Sequence, residues 1–211
     1  MGNNYVLKAE NIYKKYGNSI VLNNVNLEIY PGEVVFIVGK NGTGKSTLVR
    51  ILAGITKCDK GKVAIDSSLN MSFVPDHFEK SNLTMDKFMN HMLEIEEQKV
   101  DKSVLDEYYR KFSVSHMRNT RVRNLSKGSI QKLAIIQALV SERDLIFMDE
   151  PLHGQDEVSQ EILCDEINKR RSRGTTVVIA CHEKQMMESL ADRILCVEEG
   201  RLVDGSQYVN I

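Results

Sequence analysis

The residues with the most chemistry to offer lie at positions 39–47, Gly39-Lys40-Asn41-Gly42-Thr43-Gly44-Lys45-Ser46-Thr47. Their spacing is G-x-x-x-x-G-K-[ST], which suits the binding of phosphate groups. The glycines permit a tight turn that aims several backbone N–H groups at one anion. A helix starting at Lys45 would add the partial positive charge of its N-terminus. Lys45 itself would meet the β- and γ-phosphates of a nucleotide, and the Ser46 hydroxyl would ligate Mg²⁺. A second candidate is acidic. Asp149-Glu150 closes the apolar run Leu145-Ile146-Phe147-Met148. If that run is a strand of a parallel sheet, its carboxyl end lies where such sheets bind ligands. Asp149 is then expected to hold the metal, directly or through water, and Glu150 to take a proton from an attacking water. His182 follows the apolar run 176–180 and reaches the same level of the sheet, where it is expected to contact a γ-phosphate. His77, His91, His116 and His153 lack metal-ligand spacing and read as surface or packing residues.

These groups work only if the elements around them bring their ends together. The run 34–38 is apolar throughout, as in a strand covered on both faces, and a helix over 45–53 is predicted to follow the glycine-rich turn, stopping at Gly54. Before it, 5–12 and 25–29 alternate as strands, with turns at Gly17 and Pro31-Gly32; after it, 62–65 and 71–74 read as strands. The middle of the chain changes character. Met85, Phe88, Met89, Met92 and Leu93 recur at helical spacing over 84–97, and further helices are predicted over 103–112 and 129–140. The methionine face belongs either to the core of this helical part or to an adaptable contact surface. The last third alternates strands at 145–148 and 176–180 with helices over 155–171 and 183–190, the pattern of a parallel sheet with crossover helices. A hairpin turning at Glu198-Glu199-Gly200 closes the chain.

Leu125-Ser126-Lys127-Gly128-Ser129-Ile130-Gln131-Lys132 precedes one of these helices and comes shortly before the acidic pair. It resembles the signature motif of ABC ATPases, commonly LSGGQ followed by a basic residue. With the phosphate loop, the acidic pair, Gly154-Gln155-Asp156 as a D-loop, His182 as a switch histidine and Asp204-Gly205 after the terminal hairpin, the resemblance spans nearly the whole chain. It implies an α/β fold: a P-loop NTPase core with a mostly parallel sheet (about 1–75 and 141–211), a small antiparallel β subdomain, and a helical lobe (about 76–140), all in one domain over 1–211. It implies ATP and Mg²⁺ as cofactors, and head-to-tail pairing with a second ATPase subunit, identical or different. Each ATP would be held between residues 39–47 of one subunit and Ser126 and Gly128 of the other. Ser126 also suits the cap of its own helix. Tyr16 stands where the family places an aromatic that stacks on adenine, although Tyr13 is close by and either ring could pack in the antiparallel sheet.

Three departures stand out. Asp76 occupies a position where the family usually has Gln; it is expected either in the metal shell of Mg²⁺ or as a solvent-facing loop residue. Lys127 replaces the first glycine of the signature pair, a variant similar to some exporter-type ABC ATPases, so export is expected over import. Leu152 and His153 depart from the commoner residues before Gly154.

The bulk composition narrows the rest. The 211 residues carry 28 Lys plus Arg and 29 Asp plus Glu, for a net charge of -1. That balance disfavours a nucleic-acid partner. No apolar run approaches bilayer length, and the four cysteines have no metal or redox spacing. The expected protein is an ATP-hydrolysing subunit, peripheral on the cytoplasmic face of the cell membrane, driving a separate transmembrane permease. A soluble non-transport ABC ATPase and a weakly active regulatory subunit of a heterodimer are the alternatives.

Overall fold

The structure is a computed structural model describing residues 5–78 and 80–208. The ends of the single domain expected over 1–211 therefore lie outside the described residues. A six-stranded sheet forms the centre, in the order β5 (Met71–Val74), β6 (Leu145–Asp149), β7 (Thr176–Ala180), β3 (Val34–Val38), β8 (Arg193–Glu198), β9 (Arg201–Asp204). All neighbours in it are parallel except β8 and β9, which form the antiparallel hairpin. A second sheet, β2 (Ser19–Ile29), β1 (Leu7–Tyr16), β4 (Lys60–Ile65), is antiparallel.

The apolar runs of the central strands are explained by what covers them. Val34, Phe36 and Val38 face one hydrophobic cluster, whereas Val35 and Ile37 face another on the opposite side. The same division separates Ile146 and Met148 from Leu145 and Phe147. One face is covered by α1 (Lys45–Leu52) and the antiparallel sheet, through Leu48, Val49, Leu52, Leu7 and Ile12. The other is covered by α2 (Met85–Ile95), α3 (Lys102–Lys111), α4 (Lys127–Leu139), α5 (Glu157–Arg171) and α6 (Lys184–Leu190). The helical part at 76–140 thus shares its core with the sheet: Met85, Met89, Tyr109, Phe112 and Ala134 belong to the cluster that holds Phe36 and Val74.

Several predicted boundaries shift: β1 runs on to Tyr16 rather than ending at Ile12, and β4 starts at Lys60, two residues earlier than expected. Strand β2 begins at Ser19, not near Val25. Its first half was hidden because Asn11 and Asn24 adopt left-handed backbone, with φ of 53° and 58°, and the β1–β2 register slips, which breaks the alternation that marks a strand. Helix α4 begins at Lys127, immediately after its cap Ser126, two residues earlier than predicted. On α2, Met85 and Met89 are fully buried, so the methionine face is core; only Met92 reaches a groove, with Ile55, Phe73 and Phe78. Among the described residues no helix is long and apolar enough to cross a membrane.

Candidate active site

The parallel strands place the two motifs side by side. β3 ends at Val38 and feeds the loop at 39–44, and β6 ends at Asp149, with only β7 between them. Gly39 is required where it stands. At its φ of 140°, a Cβ would sit 2.7 Å from the Val197 carbonyl oxygen, on neighbouring β8. Gly44 precedes α1 without any side-chain cap, so the first amides of α1 have no local side chain competing for them. Lys45 is buried and folds back over the loop. Its Nζ donates to the carbonyls of Gly39 at 3.0 Å and Lys40 at 3.4 Å and lies 3.7 Å from Glu150 Oε1. Thr43 caps the turn internally, its Oγ1 donating to the Lys40 carbonyl at 2.9 Å. Asn41 and Gly42 are exposed on the loop, and Thr47 is half-buried in the first turn of α1.

Ser46 donates its hydroxyl to Asp149 Oδ1 at 2.7 Å. Asp149 is fully buried, and its Oδ2 has no hydrogen-bond partner, although the Arg50 guanidinium stands 3.2 Å away. A hydroxyl and a buried carboxylate form a set of hard oxygen donors, which suits Mg²⁺.

Glu150 is held in a left-handed conformation at φ 49°, an arrangement costing about 1–3 kcal/mol for a residue with a side chain. Its amide is tied to the Ala180 carbonyl at 2.8 Å, which keeps the turn in place at the end of β7. Burial raises the Glu150 carboxyl above the ordinary range, against the opposing pull of His182 and Lys45. His182 Nδ1 lies 3.0 Å from Glu150 Oε2. When the carboxylate is ionised it only accepts hydrogen bonds, and Nδ1 is then the donor.

Other expected residues are placed differently. Tyr16 ends β1 with its ring exposed and the Lys14 ammonium 5.3 Å from the ring centroid, whereas Tyr13 is half-buried beneath Lys60. Ser126 caps α4, accepting from the Ser129 amide at 3.1 Å, so that amide is already paired within its own chain. Gly128 follows in the first turn of that helix. The Asp76 carboxylate contacts His153 at 3.3 Å and His77 at 3.2 Å. His153 and His77, expected as surface or packing residues, meet Asp76 here, and Arg50 beside Asp149 carries no signal in its spacing along the chain.

A family model described as ABC transporter matches residues 22–153. The chain belongs to the ABC transporter family. An uncharacterized ABC transporter ATP-binding protein of Methanocaldococcus jannaschii is 30% identical over 93% of this chain and 76% of that protein. A protein of Wigglesworthia glossinidia brevipalpis named as a zinc import ATP-binding protein is 32% identical over 95% of this chain and 86% of its own length. The solved ATP-binding subunit of an ABC transporter superposes with a TM-score of 0.82 at 21% identity, covering 93% of this chain and 88% of that one, which shows the fold. As an ABC transporter ATP-binding chain, it is an ATPase whose activity is coupled to transport.

Proposed function

We propose that residues 39–47 bind the triphosphate of ATP, that Ser46 and Asp149 hold Mg²⁺, and that Glu150 is the general base. The observation that carries this reading is the 2.7 Å contact between Ser46 and buried Asp149, beside a Glu150 already held near Lys45 and His182. Bound there, Mg²⁺ would neutralise charge on the phosphates. Lys45 would exchange two loop carbonyls for β- and γ-phosphate oxygens, a stronger set of charge-assisted bonds. A raised carboxyl makes Glu150 a better proton acceptor than an exposed glutamate. His182 fixes the orientation of Glu150 and stands ready for the γ-phosphate. Tyr16, exposed at its strand end, offers a face to adenine.

The chain works as a dimer with a second ATPase subunit, in which Ser126 and Gly128 complete the partner's site and closure excludes water. A separate permease completes the transporter, docked on the apolar groove of Ile55, Met71, Phe73, Phe78 and Met92, with Ile55 55% exposed. On this reading the chain sits on the cytoplasmic face of the membrane. For direction, import is supported by relatives named as zinc import ATP-binding proteins, against the expectation of export. Export is the second reading, carried by Ser126-Lys127-Gly128. Flux measured in vesicles holding the chain and its co-purifying permease separates the two.

Glu150→Gln tests the site. ATP binding should persist while hydrolysis slows about 10²–10⁴-fold. Near-normal turnover would remove Glu150 from the role of base.

A further inference from the structure

Three residues far apart in sequence, all departures from the motif pattern, meet in space. Lys127 Nζ lies 3.1 Å from His153 Nδ1 and 3.9 Å from Asp76 Oδ1. The same His153 nitrogen is 3.3 Å from that carboxylate oxygen, and the other Asp76 oxygen faces His77 Nε2 at 3.2 Å. Each of the three stands on its own segment: Asp76 in the turn after β5, Lys127 as the first residue of α4, and His153 in the turn after β6.

Lys127 and His153 are about half exposed, and a lone pair of this kind contributes little. The surrounding contacts argue for more, because they join the same three segments. Gln131 on α4, almost fully buried, donates Nε2 to the Pro75 carbonyl at 3.0 Å. Gln155 Nε2 donates to the Gly128 carbonyl at 3.1 Å, and Lys132 pairs with Asp156 at 2.7 Å. At Gly128 a Cβ would stand 2.7 Å from the Gly154 carbonyl oxygen, so the first turn of α4 and the turn at 153–155 touch with no room for a side chain. A shift of any one segment therefore disturbs the other two.

We propose that Asp76, Lys127 and His153 form a positioning network that fixes the signature turn against the turns at 75–77 and 150–156, and that Asp76 serves this network and not the metal. The inference rests on the ATPase reading of the site. A cation at 127 and an anion at 76 beside a phosphate-handling surface compensate one another across 3.9 Å, and the His153 Nδ1 that both approach either accepts from Lys127 or donates to Asp76, one at a time. Because the turn at 150–156 starts at Glu150, the network acts on the general base through its backbone and touches no reacting atom.

A double-mutant cycle on ATP hydrolysis by the full chain tests this. Asp76→Asn and Lys127→Met should each lower kcat about two- to fivefold, leaving the KM for ATP and the Mg²⁺ requirement unchanged. The double variant should be no slower than the slower single one, and Lys127→Arg should recover the wild-type rate. The His153 imidazole resonances, assigned by NMR with His153→Asn, should move in both single variants, a readout independent of turnover. Losses that multiply, unmoved His153 resonances, or an Asp76→Asn variant that needs more Mg²⁺ would each overturn the network, the last by putting Asp76 on the metal. A wild-type chain that neither binds nor hydrolyses ATP would instead fail the ATPase reading.

Discussion

Two helix N-termini in this molecule end in opposite ways. α1 is entered through Gly44 with no side chain capping it, whereas α4 is entered through Ser126, whose hydroxyl accepts from the Ser129 amide. Every helix leaves its first amides unpaired, and something must meet them. Where the chain supplies a cap, one of those amides is already met. Where it supplies only glycine and a buried lysine, the donors are left for an anion. α5, capped by Asp156 through Ser159, resembles α4, whereas α2, α3 and α6 lack a side-chain cap as α1 does, so it is the glycine turn and the buried Lys45 that set α1 apart.

The sharpest way to break the contrast is at Lys45. Lys45→Ala should cost about 1.5–3 kcal/mol of ATP binding, the usual worth of a hydrogen bond to a charged group, or roughly a 10- to 150-fold rise in the Kd read by calorimetry. An unchanged Kd would mean that α1 is not the anion site. Next in size is Asp156→Ala, which removes both a cap and the Lys132 pair and should cost about 1–2 kcal/mol of stability in urea unfolding. Lys132 and the Ser159 amide hold the Asp156 carboxyl well below the usual carboxylate range. A depressed carboxyl stabilises the fold above its unfolded-state value and loses that effect as pH falls, so the gap between wild type and variant should narrow below about pH 4. A constant gap would assign the cost to something other than the charge. Smallest is Ser126→Ala, expected to cost about 0.5–1 kcal/mol of stability, with no pH dependence between 5 and 8 and no change in the Kd for ATP of the isolated chain. A large loss of ATP affinity there would erase the distinction between the two termini.

Much of this was legible in the sequence, for reasons the structure makes plain. Strands β3 and β7 carry the boundaries expected of them, because a strand covered on both faces is an unbroken apolar run and such runs are easy to see. The phosphate loop and the acidic pair were legible because each is short and local. The start of β2 was not, because bulges at asparagines disguise alternation. The meeting of Asp76, Lys127 and His153 was not either. Their separations along the chain have no periodicity, and only the parallel order of β5 beside β6 brings the turns after them together. The methionines of α2 illustrate a third case. Their spacing announced a helix face without saying what covered it, and the answer for Met85 and Met89 is the sheet's own cluster.

That shared cluster has a consequence for how the molecule comes apart. Side chains from α2, α3 and α4 interlock with those of β3 and β5 in one apolar body, so the segment between β5 and β6 has no separate interior to fall back on. Loss of those helices therefore strips the packing from that face of the sheet, and the two come apart together. Any swing of the helices during turnover has to be borne by the connecting turns, since bending within the packed body would open voids that close-packed interiors resist.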